Sequence, residues 1–313
     1  MSITVLMTGP VPEDGPARLR EAFPELDIRY FDDPAALESH IEEADVVAGD
    51  ISEEAFRRAT RLRWQHTFAA GADRALSPSM IASEVPLTCS KGNGAIPLAE
   101  HAVMLMLMLA GGAVAWIDAQ RDHSWVPHRH LELYGQSVGL VGLGNSGLHV
   151  ARAVKGLGMR TLGLRRNDHP EPEVDEMFSA ATFKDFLAES DFVVVTAPIT
   201  PTTRNLFDEG AFRAMKPSAY WINVSRGGIA DDDALLRALR EGWIAGAGID
   251  AHGTEPLAAD SPFWDSPNTI VTPHGAATSP MTRVRGFRVF AENLGHFLAG
   301  EPFVNLVDKQ EGY

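Results

Sequence analysis

The stretch Gln136–Asn167, QSVGLVGLGNSGLHVARAVKGLGMRTLGLRRN, constrains the fold of this chain more than any other. Ser137–Val141 is a short apolar run that suits a buried parallel strand. Gly142, Gly144 and Gly147 form a G-x-G-x-x-G, Leu148–Leu157 repeats at helical spacing, Gly158 ends that helix, and Thr161–Leu164 reads as a second strand. In such a unit the glycines have separate jobs. One makes a tight turn, one lets a pyrophosphate approach the backbone, and one lets helix and strand pack closely; the phosphate rests on the positive helix end. A bare glycine pattern is weak. With a strand before it, a helix after it and the right overall length, dinucleotide binding is favoured over a purely structural turn.

The second strand refines the cofactor. An acidic residue about twenty positions after the motif usually takes the ribose 2′-hydroxyl of NAD. Here the strand ends Leu164-Arg165-Arg166-Asn167, with no carboxylate at the tip. Two guanidiniums suit a 2′-phosphate, which favours NADP over NAD. The competing reading leaves Arg165 and Arg166 as solvated surface charges.

The rest of the chain supports an α/β protein. Strands and helices alternate with short connections from Ile3–Met7 onward, which implies doubly wound parallel sheets. A long helix is expected from about Pro97 to Arg121, and Val304–Val307 is a candidate to return to the first sheet. Ala102–Ile117 is apolar but short for a membrane span and is flanked by Glu100, His101, Asp118 and Arg121. A buried core or a subunit contact explains it better, with Met104, Met106 and Met108 as core filling. A net charge of -15 argues against a nucleic-acid partner. The single cysteine, Cys89, excludes an internal disulfide framework, fits a reducing cytoplasm and reads as a small buried hydrophobe. His123, His128 and His130 lie in an irregular loop without a carboxylate in a regular ligand pattern, so no metal site is expected.

Ligands of parallel sheets bind beyond the carboxyl ends of strands. Three charged residues fall there: Arg226 in INVSRGG, Glu255 in GIDAHGTEP and His274 in VTPHGAA. A cation, a carboxylate and an imidazole at one crevice make an acid/base set. Each alone could be structural; all three beside a dinucleotide motif are hard to assign to chance.

These blocks, in this order, resemble the D-isomer-specific 2-hydroxyacid dehydrogenase family. The resemblance covers the glycine fingerprint Val141–Gly147, Ile222–Asp231, Gly248–Leu257 and Ile270–Ala277, and earlier Trp64–Asp73 and Ala95–Leu109. It implies a Rossmann cofactor domain, 99–283, inserted into a discontinuous flavodoxin-like substrate domain, 1–98 and 284–313. It also implies a role for each residue. Arg226 would hold the 2-keto acid's carboxylate and polarise its carbonyl, with backbone N–H groups around Ala70, Gly71 and Ala72 on the same carboxylate. His274 would give a proton to the carbonyl oxygen as hydride arrives. Glu255 would orient His274 and favour its protonated form. Asp250 would meet the nicotinamide carboxamide, Asn145 and Ser146 would face the pyrophosphate, and Pro198 would pack near the cofactor. Lys91 is a candidate substrate contact. A cleft that closes on the cofactor would follow from two sheets joined by long helices.

The sequence also departs from the family. Ala251-His252 replaces a frequent Val-Phe pair; a supporting or surface role for His252 is expected over substrate contact. The arginine tip resembles NADP-using glyoxylate/hydroxypyruvate reductases. The function expected is NADPH-dependent reduction of a small 2-keto acid to an (R)-2-hydroxy acid by a cytoplasmic homodimer. The alternatives are an NAD-linked dehydrogenase working oxidatively and a non-catalytic dinucleotide-sensing interaction protein.

Overall fold

The computed structural model describes residues 2–166 and 169–312. The chain divides into two compact units, Met1–Gly94 with Ser279–Tyr313, and Ala95–Thr278. In the first unit, strands β1 (Thr4–Thr8), β2 (Asp27–Phe31), β3 (Val46–Ala48), β4 (Trp64–Thr67) and β5 (Leu87–Cys89) form a parallel sheet ordered β2-β1-β3-β4-β5. This is the flavodoxin-like order. Its strands alternate between two cores. Val5, Met7, Val46 and Trp64 pack with Phe287, Phe290 and Leu294 of the helix Pro280–Ala299. Leu6 and Val47 face Leu37, Ile41 and Ala55 on the other side. A strand buried on both faces must be apolar throughout, as β1 is. The returning helix starts at Ser279, whose side chain caps the Thr282 N–H, and ends at Gly300 in the left-handed region. Beyond it the chain meets the edge of β5 through an antiparallel bridge, Thr88 to Leu306, with Val307 N–H donating to the Leu87 carbonyl at 2.8 Å.

The second unit holds β6 (Ser137–Val141), β7 (Arg160–Leu164), β8 (Glu176–Phe178), β9 (Phe192–Val195), β10 (Tyr220–Asn223), β11 (Gly246–Ile249) and β12 (Thr269–Val271). All pair in parallel, in the order β12-β11-β10-β9-β6-β7-β8. The order reverses between β6 and β9, which is the switch point at which such sheets open a ligand crevice. Val193 and Val195 enter one core, Phe192 and Val194 the other, so β9 reads as an unbroken apolar run.

Two expectations change here. The helix expected from Pro97 to Arg121 is two helices, Ala95–Gly111 and Ala113–Arg121, bent by 66°. Gly112 makes the break: its φ of +77° is left-handed, and a Cβ there would lie 2.3 Å from His128 Nε2. The apolar run is also only partly core. Ala102, Leu105, Met106 and Leu109 are buried, whereas Met104, Leu107, Trp116 and Ile117 are exposed, so Met104 is not core filling within this chain. Among the described residues no single helix is long and apolar enough to cross a membrane.

Candidate active site

Because every strand of the second sheet is parallel, the segments leaving β6, β7, β9, β10, β11 and β12 emerge on one side. They carry, in turn, the glycine motif, Arg165 and Arg166, Pro198, Arg226, Asp250 with Glu255, and His274. One topological fact thus gathers residues spread over more than a hundred positions.

The glycine turn fits a dinucleotide. Gly142 has φ +94°, and a Cβ on it would lie 2.8 Å from the Ala197 backbone. A Cβ on Gly147 would lie 2.1 Å from the Gly142 carbonyl oxygen. These two glycines are required by packing. Gly144 differs: nothing lies within 4 Å of where its Cβ would be. Its openness serves whatever approaches the backbone. The helix Asn145–Gly156 begins there with no side-chain cap and no acidic residue in its first turn, so its N–H groups and dipole suit a phosphate. Gly144 and Asn145 are exposed, and Ser146 is half-buried. Pro198 is exposed after β9, where Thr203 Oγ1 donates to its carbonyl at 2.7 Å.

At the tip of β7, Arg165 is half-buried and Arg166 exposed. Arg165 Nη1 donates to Glu171 Oε1 at 2.5 Å, and its Nη2 donates to the His169 carbonyl at 2.9 Å. Glu171 escapes a reading that looks for an acid only at the strand tip. Asn167, the last residue of the opening stretch, lies outside the described residues.

Arg226 is half-buried just after β10, and its loop is fixed by Asn223. The Asn223 Nδ2 donates to the carbonyls of Arg226 at 2.9 Å and Ala251 at 3.1 Å, while its Oδ1 accepts from Ser225 N–H and Oγ. One buried amide therefore joins the arginine loop to the end of β11.

His274 and Glu255 meet directly. The His274 Nδ1 is 2.8 Å from both carboxylate oxygens of Glu255. Glu255 Oε1 also accepts the His252 main-chain N–H at 2.9 Å. Burial pushes the Glu255 carboxyl up, but the His252 N–H and the His274 ring favour the ionised form and hold it below the usual carboxylate range. A histidine with one ring nitrogen held by a carboxylate is fixed in orientation, and the other nitrogen is left to exchange a proton.

The backbone at His274 is left-handed, with φ +50°, which is costly for a non-glycine residue. Asp250 supplies the restraint. Its carboxylate accepts from Thr272 Oγ1 at 2.6 Å, Gly275 N–H at 3.0 Å and Ala276 N–H at 2.9 Å, and its carbonyl accepts the His274 N–H at 2.8 Å. His101 adds a contact to Thr272 Oγ1 at 3.1 Å. Asp250 is 0% exposed. In this structure its carboxylate shapes the His274 turn through Thr272, Gly275 and Ala276. Thr272 and His101 lie inside the blocks Ile270–Ala277 and Ala95–Leu109, but nothing in either block's spacing shows that they meet Asp250.

In the first unit, Ala70 is exposed, Gly71 half-buried and Ala72 buried in the turn after β4, and Lys91 is exposed after β5. The substrate role expected of Ala70, Gly71 and Ala72 rests on the family resemblance, and Lys91 is a candidate by its place on a loop. A proton-ordered chain underlies that turn: Trp64 Nε1 donates to Thr88 Oγ1, which lies 2.8 Å from His66 Nδ1, and His66 Nε2 lies 3.1 Å from Ser90 Oγ, which donates to the Gly286 carbonyl. Because Ser90 Oγ spends its hydrogen on Gly286, His66 Nε2 carries a hydrogen. Burial pushes His66 down to about 3. Since the folded value is depressed, the unfolded chain takes up the proton first. The stability contribution is full above pH 6.5 and is lost as pH falls from there towards about 3. Urea unfolding is expected to lose up to about 1.4 kcal/mol per pH unit in that window. His66→Gln is expected to flatten the slope; an unchanged slope would place the acid sensitivity elsewhere.

Comparison with known proteins identifies the family. Residues 103–276 match the family model described as D-isomer specific 2-hydroxyacid dehydrogenase, NAD binding domain. A glyoxylate reductase of Korarchaeum cryptofilum is 33% identical over 99% of this chain and 97% of that protein. Among solved structures, an NADPH-dependent glyoxylate/hydroxypyruvate reductase of Sinorhizobium meliloti, in complex with NADP and sulfate, is similar with a TM-score of 0.87 and 29% identity, over 100% of both chains. A probable 2-hydroxyacid dehydrogenase of Rhizobium etli, solved with NADP, HEPES and L(+)-tartaric acid, gives 0.84 and 28% over the same coverage. The chain belongs to the D-isomer-specific 2-hydroxyacid dehydrogenase family. It is an NAD(P)-dependent oxidoreductase of that class.

Proposed function

We propose that this protein reduces a small 2-keto acid to the (R)-2-hydroxy acid with NADPH. The observation that carries the reading is the His274–Glu255 pair at 2.8 Å, in the same set of strand ends as Arg226 and the open glycine turn. The cofactor, when bound, would be the source of the hydride that the carbonyl carbon takes up. Arg226 binds the substrate carboxylate and draws electron density toward the carbonyl oxygen. His274 donates from Nε2 to that oxygen and regains the proton from solvent, while Glu255 holds Nδ1 and offsets the imidazolium charge. In the oxidative direction the same ring takes the proton back.

Gly142, Gly144, Asn145, Ser146 and Gly147 would hold the pyrophosphate, and Arg165 and Arg166 the 2′-phosphate. The relatives solved with NADP support this choice. One observation favours a second reading. Glu171 already pairs with Arg165 and offsets its charge, which would suit NAD. The test is a panel of glyoxylate, hydroxypyruvate, pyruvate and bulkier 2-keto acids with each cofactor. NADPH is expected to be preferred, and Arg165→Asp is expected to move the preference toward NADH. An unchanged preference in that variant would place the choice on other residues.

The exposed apolar side chains Met104 and Leu107 on the helix Ala95–Gly111, and Trp116 and Ile117 on the helix Ala113–Arg121, support a homodimer. Light scattering is expected to give twice the chain mass, and Leu107→Glu with Trp116→Glu is expected to give the single mass; a monomeric parent would refute the dimer.

A further inference from the structure

We propose that His252 is a positioning residue for this site: one hydrogen bond from its ring locks the loop that carries Glu255 to the strand end that carries His274. The proposal rests on the acid/base reading of that pair. His252 is 6% exposed, so of the supporting and surface roles expected from the sequence, burial favours the supporting one. It touches all three functional segments. Its main-chain N–H donates to Glu255 Oε1 at 2.9 Å. Its carbonyl oxygen lies so close to the loop after Arg226 that a Cβ on Gly227 would be 1.8 Å from it. Its Nε2 is 2.9 Å from the Thr272 carbonyl oxygen, two residues before His274.

A carbonyl only accepts, so Nε2 carries the hydrogen. The other ring nitrogen, Nδ1, is buried without a hydrogen-bond partner among the described residues. Burying an unpartnered nitrogen is a cost that an apolar residue would avoid. The ring's specific contribution is therefore the bond to Thr272. Without it, the backbone of residues 252–255 loses its side-chain tie to β12, and the Glu255 carboxylate is no longer held at a fixed distance from His274. Small errors in such a distance are expensive in rate, because orientation is where a fixed acid gains its advantage.

Three variants separate the bond from mere packing. His252→Gln can place an amide N–H near the Nε2 position. His252→Asn reaches only the Nδ1 position, and His252→Leu fills space without a donor. With glyoxylate and NADPH, the Asn and Leu variants are expected to lose about tenfold in kcat with little change in either KM, and the Gln variant to stay close to the parent. Amide hydrogen exchange across residues 251–255 and 272–276 is expected to rise in the Asn and Leu variants and not in the Gln variant. Equal kcat and exchange in all four proteins would overturn the proposal, as would equal losses in all three variants, which mark packing alone. A change confined to the keto-acid KM would overturn it in favour of substrate contact. If the parent turns over no 2-keto acid, the acid/base reading fails, and the exchange comparison still decides whether the ring ties the two segments.

Discussion

His274→Ala is expected to lower kcat for 2-keto acid reduction by on the order of 10²–10⁴, the usual worth of a positioned general acid, while NADPH binding is unchanged. The separation follows from the geometry. The glycine turn and the β7 tip, which would hold the cofactor, leave different strands, β6 and β7, from those that carry Glu255 and His274, β11 and β12. Loss of the ring would remove the proposed proton donor and leave the proposed cofactor cradle as it is. Fluorescence titration with NADPH and steady-state turnover on the same preparation check both halves. Near-parental turnover would remove His274 from the mechanism. Loss of NADPH binding would mean that the substitution disturbs the fold of the His274 turn, where Asp250 and Thr272 already restrain a left-handed residue. Glu255→Gln is a milder change at the same place: the ring keeps an acceptor and loses the charge that offsets its imidazolium.

The second large effect is expected at Arg226. Arg226→Gln is expected to reduce kcat/KM for the keto acid by on the order of 10²–10³, similar to the loss of a donor that stabilises developing negative charge. Both parameters are expected to change, because in the proposed role the guanidinium would bind the carboxylate in the ground state and stabilise the oxyanion in the transition state. Lysine is a poor replacement, since a point charge cannot repeat the planar two-pronged contact. The Asn223 amide that secures this loop is independent of the arginine side chain, so the variant is expected to fold. A variant that changes KM alone would assign Arg226 to binding and leave the carbonyl to another group.

Much of this site is legible in the sequence because a parallel sheet places function in short blocks after apolar strands. Val141 leads into the glycine turn, Asn223 into Arg226, Ile249 into Asp250 and Glu255, and Val271 into His274. Each block is local, and the sheet order alone brings them together. What escaped the sequence depends on contacts far apart in the chain. The Asp250 carboxylate is committed to Thr272, Gly275 and Ala276, more than twenty residues on. Glu171 reaches Arg165 from beyond an irregular segment. Strand β8, Glu176–Phe178, hides in a run rich in acid and proline that reads as a connector. The break at Gly112 had a visible signal in Gly111-Gly112, but the apolar run around it reads as one continuous helix.

The central claim is that this site transfers hydride to one face of a 2-keto acid, with His274 as the proton donor. The most direct measurement follows hydroxypyruvate reduction with NADPH and analyses the product by chiral chromatography. One (R)-hydroxy acid is expected for each NADPH consumed, with both lost together in His274→Ala. Tight NADPH binding without consumption on any 2-keto acid, or an (S) or racemic product, would contradict it.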